Sequence, residues 1–139
     1  MKKLLLLLFA LLMIACEKEL VDTEALGENV GIMGTWIENG YEQDVTLLHR
    51  EDQLDPSKYG FTLEENGSFI ERKNAGWCGT PPITYENFEG SWDALSDSLI
   101  EITVAYWGGT MTYQMRIVSL GPEELRIRYL YTNDRVDAR

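Results

Sequence analysis

From Gly31 onward, apolar residues recur at every second position, and short clusters of turn-forming residues separate the runs. Alternate residues of a strand face opposite sides of a sheet, so a period of two marks half-buried strands; no long stretch shows helical spacing. The pattern predicts eight strands, at 32–38, 44–49, 59–64, 68–73, 84–93, 99–107, 110–119 and 124–132. Glu65-Asn66-Gly67 and Trp107-Gly108-Gly109 supply the positive φ angles that tight hairpins require. Ser96-Asp97-Ser98 and Leu120-Gly121-Pro122-Glu123 are ordinary turn formers.

The late strands show their faces most clearly. Ile100, Ile102, Val104 and Tyr106 share one side, with Glu101 and Thr103 opposite. Met111, Tyr113, Met115 and Ile117 alternate with Thr110, Thr112, Gln114 and Arg116, and Leu125, Ile127, Tyr129 and Tyr131 alternate with Arg126 and Arg128. One wet and one dry face is what an antiparallel sheet requires, and eight strands in hairpin succession can remove their open edges by closing. The expected fold is therefore all-β, an eight-stranded antiparallel up-and-down barrel; periodicity alone also admits a two-sheet sandwich. The expected inward set is rich in rings: Tyr59, Phe61, Phe88, Trp92, Tyr106, Tyr113, Tyr129 and Tyr131. Such rings either fill a barrel or line a pocket whose phenolic oxygens fix the polar end of a ligand.

The N-terminus follows a different rule. Met1-Lys2-Lys3 is basic, and Leu4 to Ile14 run without a polar group until Glu17 and Lys18. Such a helix spans roughly 16 Å, about half of a ~30 Å hydrocarbon core, so an export signal at 1–15 is expected rather than a membrane span. Its end, Leu12-Met13-Ile14-Ala15-Cys16, resembles the lipobox of bacterial lipoproteins. The resemblance implies cleavage after Ala15, a thioether-linked diacylglycerol on Cys16 and acylation of the new amine, with palmitate the expected chain. Residues 16–30 read as an acidic tether, 31–133 as the folded domain and 134–139 as a tail.

Gly34-Thr35-Trp36, at the start of the first strand, resembles the Gly-x-Trp signature of the lipocalin superfamily. Phe61 to Phe69, Gly90-Ser91-Trp92 and the closing 117–120 and 125–127 segments extend the likeness to the small lipocalin-like domains of bacterial lipoproteins. It implies a lipid-anchored barrel in the cell envelope, at the outer rather than the inner membrane. It also implies a late-strand arginine, Arg126 or Arg128, over the ring of Trp36, with Gly34 and Trp36 as structural signature residues. One departure is that Trp107-Gly108-Gly109-Thr110 stands where eukaryotic lipocalins carry a Thr-Asp-Tyr segment.

Composition narrows the function classes. The 139 residues suit one domain, and four tryptophans, seven tyrosines and four phenylalanines supply a core. Twelve basic residues against 23 acidic ones, a net charge of −11, argue against nucleic acid and against adhesion to anionic headgroups, so membrane attachment rests on the lipid at Cys16. One histidine and two cysteines leave little for a metal site, and no Walker loop, EF-hand spacing or dinucleotide glycine pattern calls for a cofactor.

Nothing here marks an enzyme. His49 lacks a nucleophile elbow and reads as a strand-end residue, while Glu64-Glu65 and Glu123-Glu124 read as solvated turn flanks. Once Cys16 carries lipid, Cys78 has no intramolecular partner and reads as a free thiol under a loop. The expected function is non-enzymatic binding of a small apolar or amphipathic molecule, with Trp77, Tyr106, Tyr113, Tyr129 and Tyr131 as candidate contacts. The alternative is a filled barrel that docks a protein or a glycan.

Overall fold

The computed structural model describes residues 31–76 and 79–131. The segments expected to be signal peptide, tether and tail, with Cys16, Trp77 and Cys78, lie outside the described residues. The eight expected strands are all present, with ends shifted by a few residues: β1 Gly34–Glu42, β2 Val45–Glu51, β3 Gly60–Leu63, β4 Ser68–Asn74, β5 Tyr85–Ser96, β6 Leu99–Tyr106, β7 Gly109–Leu120 and β8 Glu124–Leu130. They close into an antiparallel up-and-down barrel. Closure leaves no strand edge unpaired. Gly67 (φ 84°) and Gly109 (φ 143°) take the left-handed angles that their hairpins demand.

The strand order departs from a simple meander at one place. β3 to β8 follow one another around the wall, but the ring closes β2 against β8 and β1 against β3. The β1–β2 hairpin is thus turned over, and residues 52–59 must cross the outside of β1 to start β3. This crossover explains Ile37, which is fully buried yet outside the main core: Leu54 of the crossover lies over Ile37 and Gly60. Gly60 is needed there, since a Cβ would stand 2.6 Å from the Trp36 carbonyl oxygen. Arg72 fastens the crossover from outside, donating to the Pro56 carbonyl at 3.1 Å, the Tyr85 carbonyl at 3.2 Å and Asn87 Oδ1 at 2.7 Å.

The interior has two halves. Toward the β3–β4, β5–β6 and β7–β8 turns it is filled, with Trp36, Leu48, Phe61, Leu63, Phe69, Trp92, Ile100, Ile102, Val104, Met115, Leu125 and Ile127 all buried. The alternation read from β6, β7 and β8 accounts for half of these side chains. Toward the opposite end, where β4 and β8 finish and β7 begins, the packing gives way to a cavity.

Candidate functional site

The closed end is built around Gly34 and Trp36. Trp36 is completely buried and donates its indole N–H to the Ile32 carbonyl at 2.7 Å, drawing the incoming chain beneath the barrel. An arginine does lie over its ring, but it is Arg50 of β2, with Cζ 4.1 Å from the ring centroid. The expectation of Arg126 or Arg128 is corrected: alternation with the inward Leu125, Ile127 and Tyr129 turns both outward. There Arg126 pairs with Glu42, and Arg128 Nε reaches Asp44 Oδ2 at 2.6 Å. The Arg50 guanidinium also donates to the Gly31, Met33 and Pro122 carbonyls, each at 2.7 Å, tying the entering chain to the β7–β8 turn. Gly34 follows from the same contact: at φ 120°, its absent Cβ would stand 2.5 Å from Arg50 Nη1.

The open end holds a cavity of about 360 Å³. Of the candidate contacts, Tyr113 and Tyr129 line it, and Tyr131 stands at its rim, half exposed. The three rings pack on one another: Tyr129 and Tyr131 stack with centroids 6.2 Å apart, and Tyr113 meets each of them at 5.8 Å. Tyr106 does not join them. It lies at the end of β6, packed edge-on against Trp107 at 5.7 Å, and is not part of the cavity wall. Trp77, the remaining candidate, falls outside the described residues.

The chemistry of the cavity centres on a residue the sequence reading passed over. Glu71 is only 4% exposed, and its carboxylate faces inward between three phenols. Tyr59 and Tyr113 donate to Oε1 at 2.8 and 3.0 Å, and Lys73 holds Oε2 at 2.5 Å. Since the Tyr59 proton goes to Glu71, the 2.7 Å contact between Tyr59 and Tyr129 must carry the Tyr129 proton. Burial, reinforced by the nearby carboxylate and neighbouring phenols, holds Tyr59 and Tyr113 well above the ordinary tyrosine pKa. Burial does the same for Tyr129. All three therefore stay protonated and act as donors.

A buried carboxylate with two hydroxyl donors and one ammonium is well satisfied, which is the condition under which a charge survives burial. Its signal was present in β4, where Phe69, Glu71 and Lys73 share the dry face and Ile70 and Arg72 the other. A carboxylate on the face of a buried phenylalanine had to be either an error of register or a built polar site.

At the wall of the cavity Glu38 accepts a hydrogen bond from the Tyr41 hydroxyl. Met111 supplies an apolar wall and Thr46 a small hydroxyl. His49 lies away from the cavity on the outer face, paired at 3.1 Å with Glu51, and Glu64, Glu65, Glu123 and Glu124 are exposed at turns. Among the described residues, no three His, Cys, Asp or Glu side chains gather as a metal site would require. No protein-family model, curated protein or solved structure matches the chain.

Proposed function

We propose that this chain is a lipid-anchored, non-enzymatic binding protein of the cell envelope, a lipocalin-like barrel that holds a small amphipathic molecule in its open end. One observation carries the reading. A cavity of about 360 Å³ sits over a filled core and presents a convergent polar group, the Glu71–Tyr59–Tyr113–Lys73 network, among aromatic and aliphatic walls. Pockets for small molecules have this volume and this make-up, mostly apolar with a few fixed polar atoms. The anchor rests on the lipobox at Cys16, with the outer membrane the expected site. The turned-over first hairpin distinguishes this barrel from a strict meander without altering its closed base or open mouth.

Native mass spectrometry of the full-length chain released from its own membrane tests the binding reading. A small-molecule adduct is expected, lost when Met111→Trp fills the mouth. A wild-type spectrum with no such adduct would sink the proposal. The second reading, a docking module, is supported by three exposed rings: Tyr41 near the end of β1, Trp107 in the β6–β7 turn and Tyr131 just after β8. A co-purifying polypeptide in place of a small molecule is the outcome that favours it.

A further inference from the structure

The direction of the hydrogen bonds around the cavity carries more than its volume. The Tyr59 and Tyr113 protons are committed to Glu71, the Tyr129 proton to Tyr59 and the Tyr41 proton to Glu38. These phenols therefore turn lone pairs, not protons, toward a guest, and the Tyr129 oxygen is left with acceptor capacity alone.

The charges point the same way. Three charged side chains line the cavity: Glu38, Glu71 and Lys73. Lys73 is matched within the wall, with Nζ 2.5 Å from Glu71 and 5.1 Å from the centre of the Phe88 ring. Glu38 has no such match. Its carboxylate accepts from a neutral phenol, and among the described residues it makes no ion pair, although Lys58 lines the outer groove that Glu38 and Tyr59 share. An unmatched carboxylate beside the rings of Tyr41, Tyr129 and Tyr131 combines two attractions for the same guest, direct charge pairing and the negative face of the aromatic rings.

We infer that the cavity selects organic cations, an ammonium or guanidinium head on a small apolar or aromatic body, with Glu38 as counter-ion and the tyrosine rings as walls. The inference rests on the binding reading above and names the class of its ligand. A carboxylate or phosphate head is disfavoured, because it would meet the Glu38 carboxylate and the lone pairs of Tyr41, Tyr59, Tyr113 and Tyr129, while the one cation of the wall, Lys73, is already paired with Glu71.

Three probes of similar size separate the two levels of the claim: benzyltrimethylammonium, benzyl alcohol and benzoate. Each is titrated by calorimetry into the full-length chain held in maltoside detergent micelles, whose headgroup carries no ammonium, with empty micelles as reference. The cation is expected to bind about tenfold or more tightly than the alcohol, and benzoate more weakly than both. Glu38→Gln is expected to reduce the cation to the level of the alcohol measured on the same variant. Equal binding of all three probes, a preference for benzoate, or a cation preference that survives Glu38→Gln would overturn the inference and leave the binding reading standing. Binding of none of them would count against both. Thermal unfolding of the Glu38→Gln protein, expected near the wild-type midpoint, shows that a lost preference is not a lost fold.

Discussion

Arg50 covers the ring of Trp36 and, through three carbonyls, holds the entering chain and the β7–β8 turn against the same end of the barrel. One side chain thus joins β2, the N-terminal segment and the last hairpin. Hydrogen bonds from a charged donor contribute about 1.5–3 kcal/mol, and a partly desolvated cation–π contact about 1–2 kcal/mol. Arg50→Ala should cost about 2–4 kcal/mol, measured as a shift of the urea midpoint. Arg50→Lys should recover only a minor part, because an ammonium cannot spread donors across three carbonyls and stack at once.

Trp36→Ala should cost about 3–5 kcal/mol, a large share of the ~5–15 kcal/mol available to a small domain. Combined with Arg50→Ala, the loss should fall short of the sum of the single losses, since both substitutions remove the same stack. A near-wild-type midpoint for Trp36→Ala would mean that the ring does not close the base.

Glu71→Gln leaves the Lys73 ammonium in the wall without its counter-charge, and one broken partner of a buried pair costs about 3–5 kcal/mol. Lys73 keeps some exposure, so a loss of about 2–3 kcal/mol is the expected result in urea denaturation. Adding Lys73→Met should restore much of it by removing the orphaned charge. If the double variant is no more stable than Glu71→Gln, the pair is not the reason for the loss.

The raised phenols fix the sign of the alkaline response. In the unfolded chain a tyrosine loses its proton near pH 10, while Tyr59, Tyr113 and Tyr129 keep theirs to higher pH in the barrel. Above about pH 10 the folded state therefore binds more protons than the unfolded one, and stability falls as pH rises toward the folded values. Below that point these three groups contribute no slope. Phenolate absorbance from the buried three should appear only together with unfolding. Its early appearance in a still-folded protein would contradict their burial.

Cys16→Ala should abolish lipidation, because an alkyl side chain cannot form the thioether. Metabolic labelling with an alkyne fatty acid, followed by membrane fractionation, checks it; equal label on both proteins would remove the anchor from the proposed function.

The strands were legible because β6, β7 and β8 alternate without interruption and glycine marks the hairpins at Gly67 and Gly109. Neighbourhood was not. A period of two records which face of a strand is dry, never which strand lies beside it, so the exchange that seats β2 on β8 left no trace in the pattern. The same gap hid Arg50: the ring it covers lies on the adjacent strand, where Trp36 is its register partner. Glu71 was hidden by a different habit, the treatment of a charged residue as a mark of the wet face. Its own strand contradicts that, because Phe69 two residues earlier is buried on the same side.

The β2–β8 contact is the clasp of the ring. It joins residues 46–49 to residues 124–127 through four register pairs, where the local hairpins β1–β2 and β6–β7 have seven and eight. Bringing such distant segments together costs loop entropy that local hairpins avoid, so the clasp closes late as the chain assembles and is the natural place for it to part. Parting there would free the edges of β2 and β8 together while β1 stays paired to β3. Two chains caught in that state have matching edges to offer each other, and β2 of each can pair with β8 of the other to join them as a dimer.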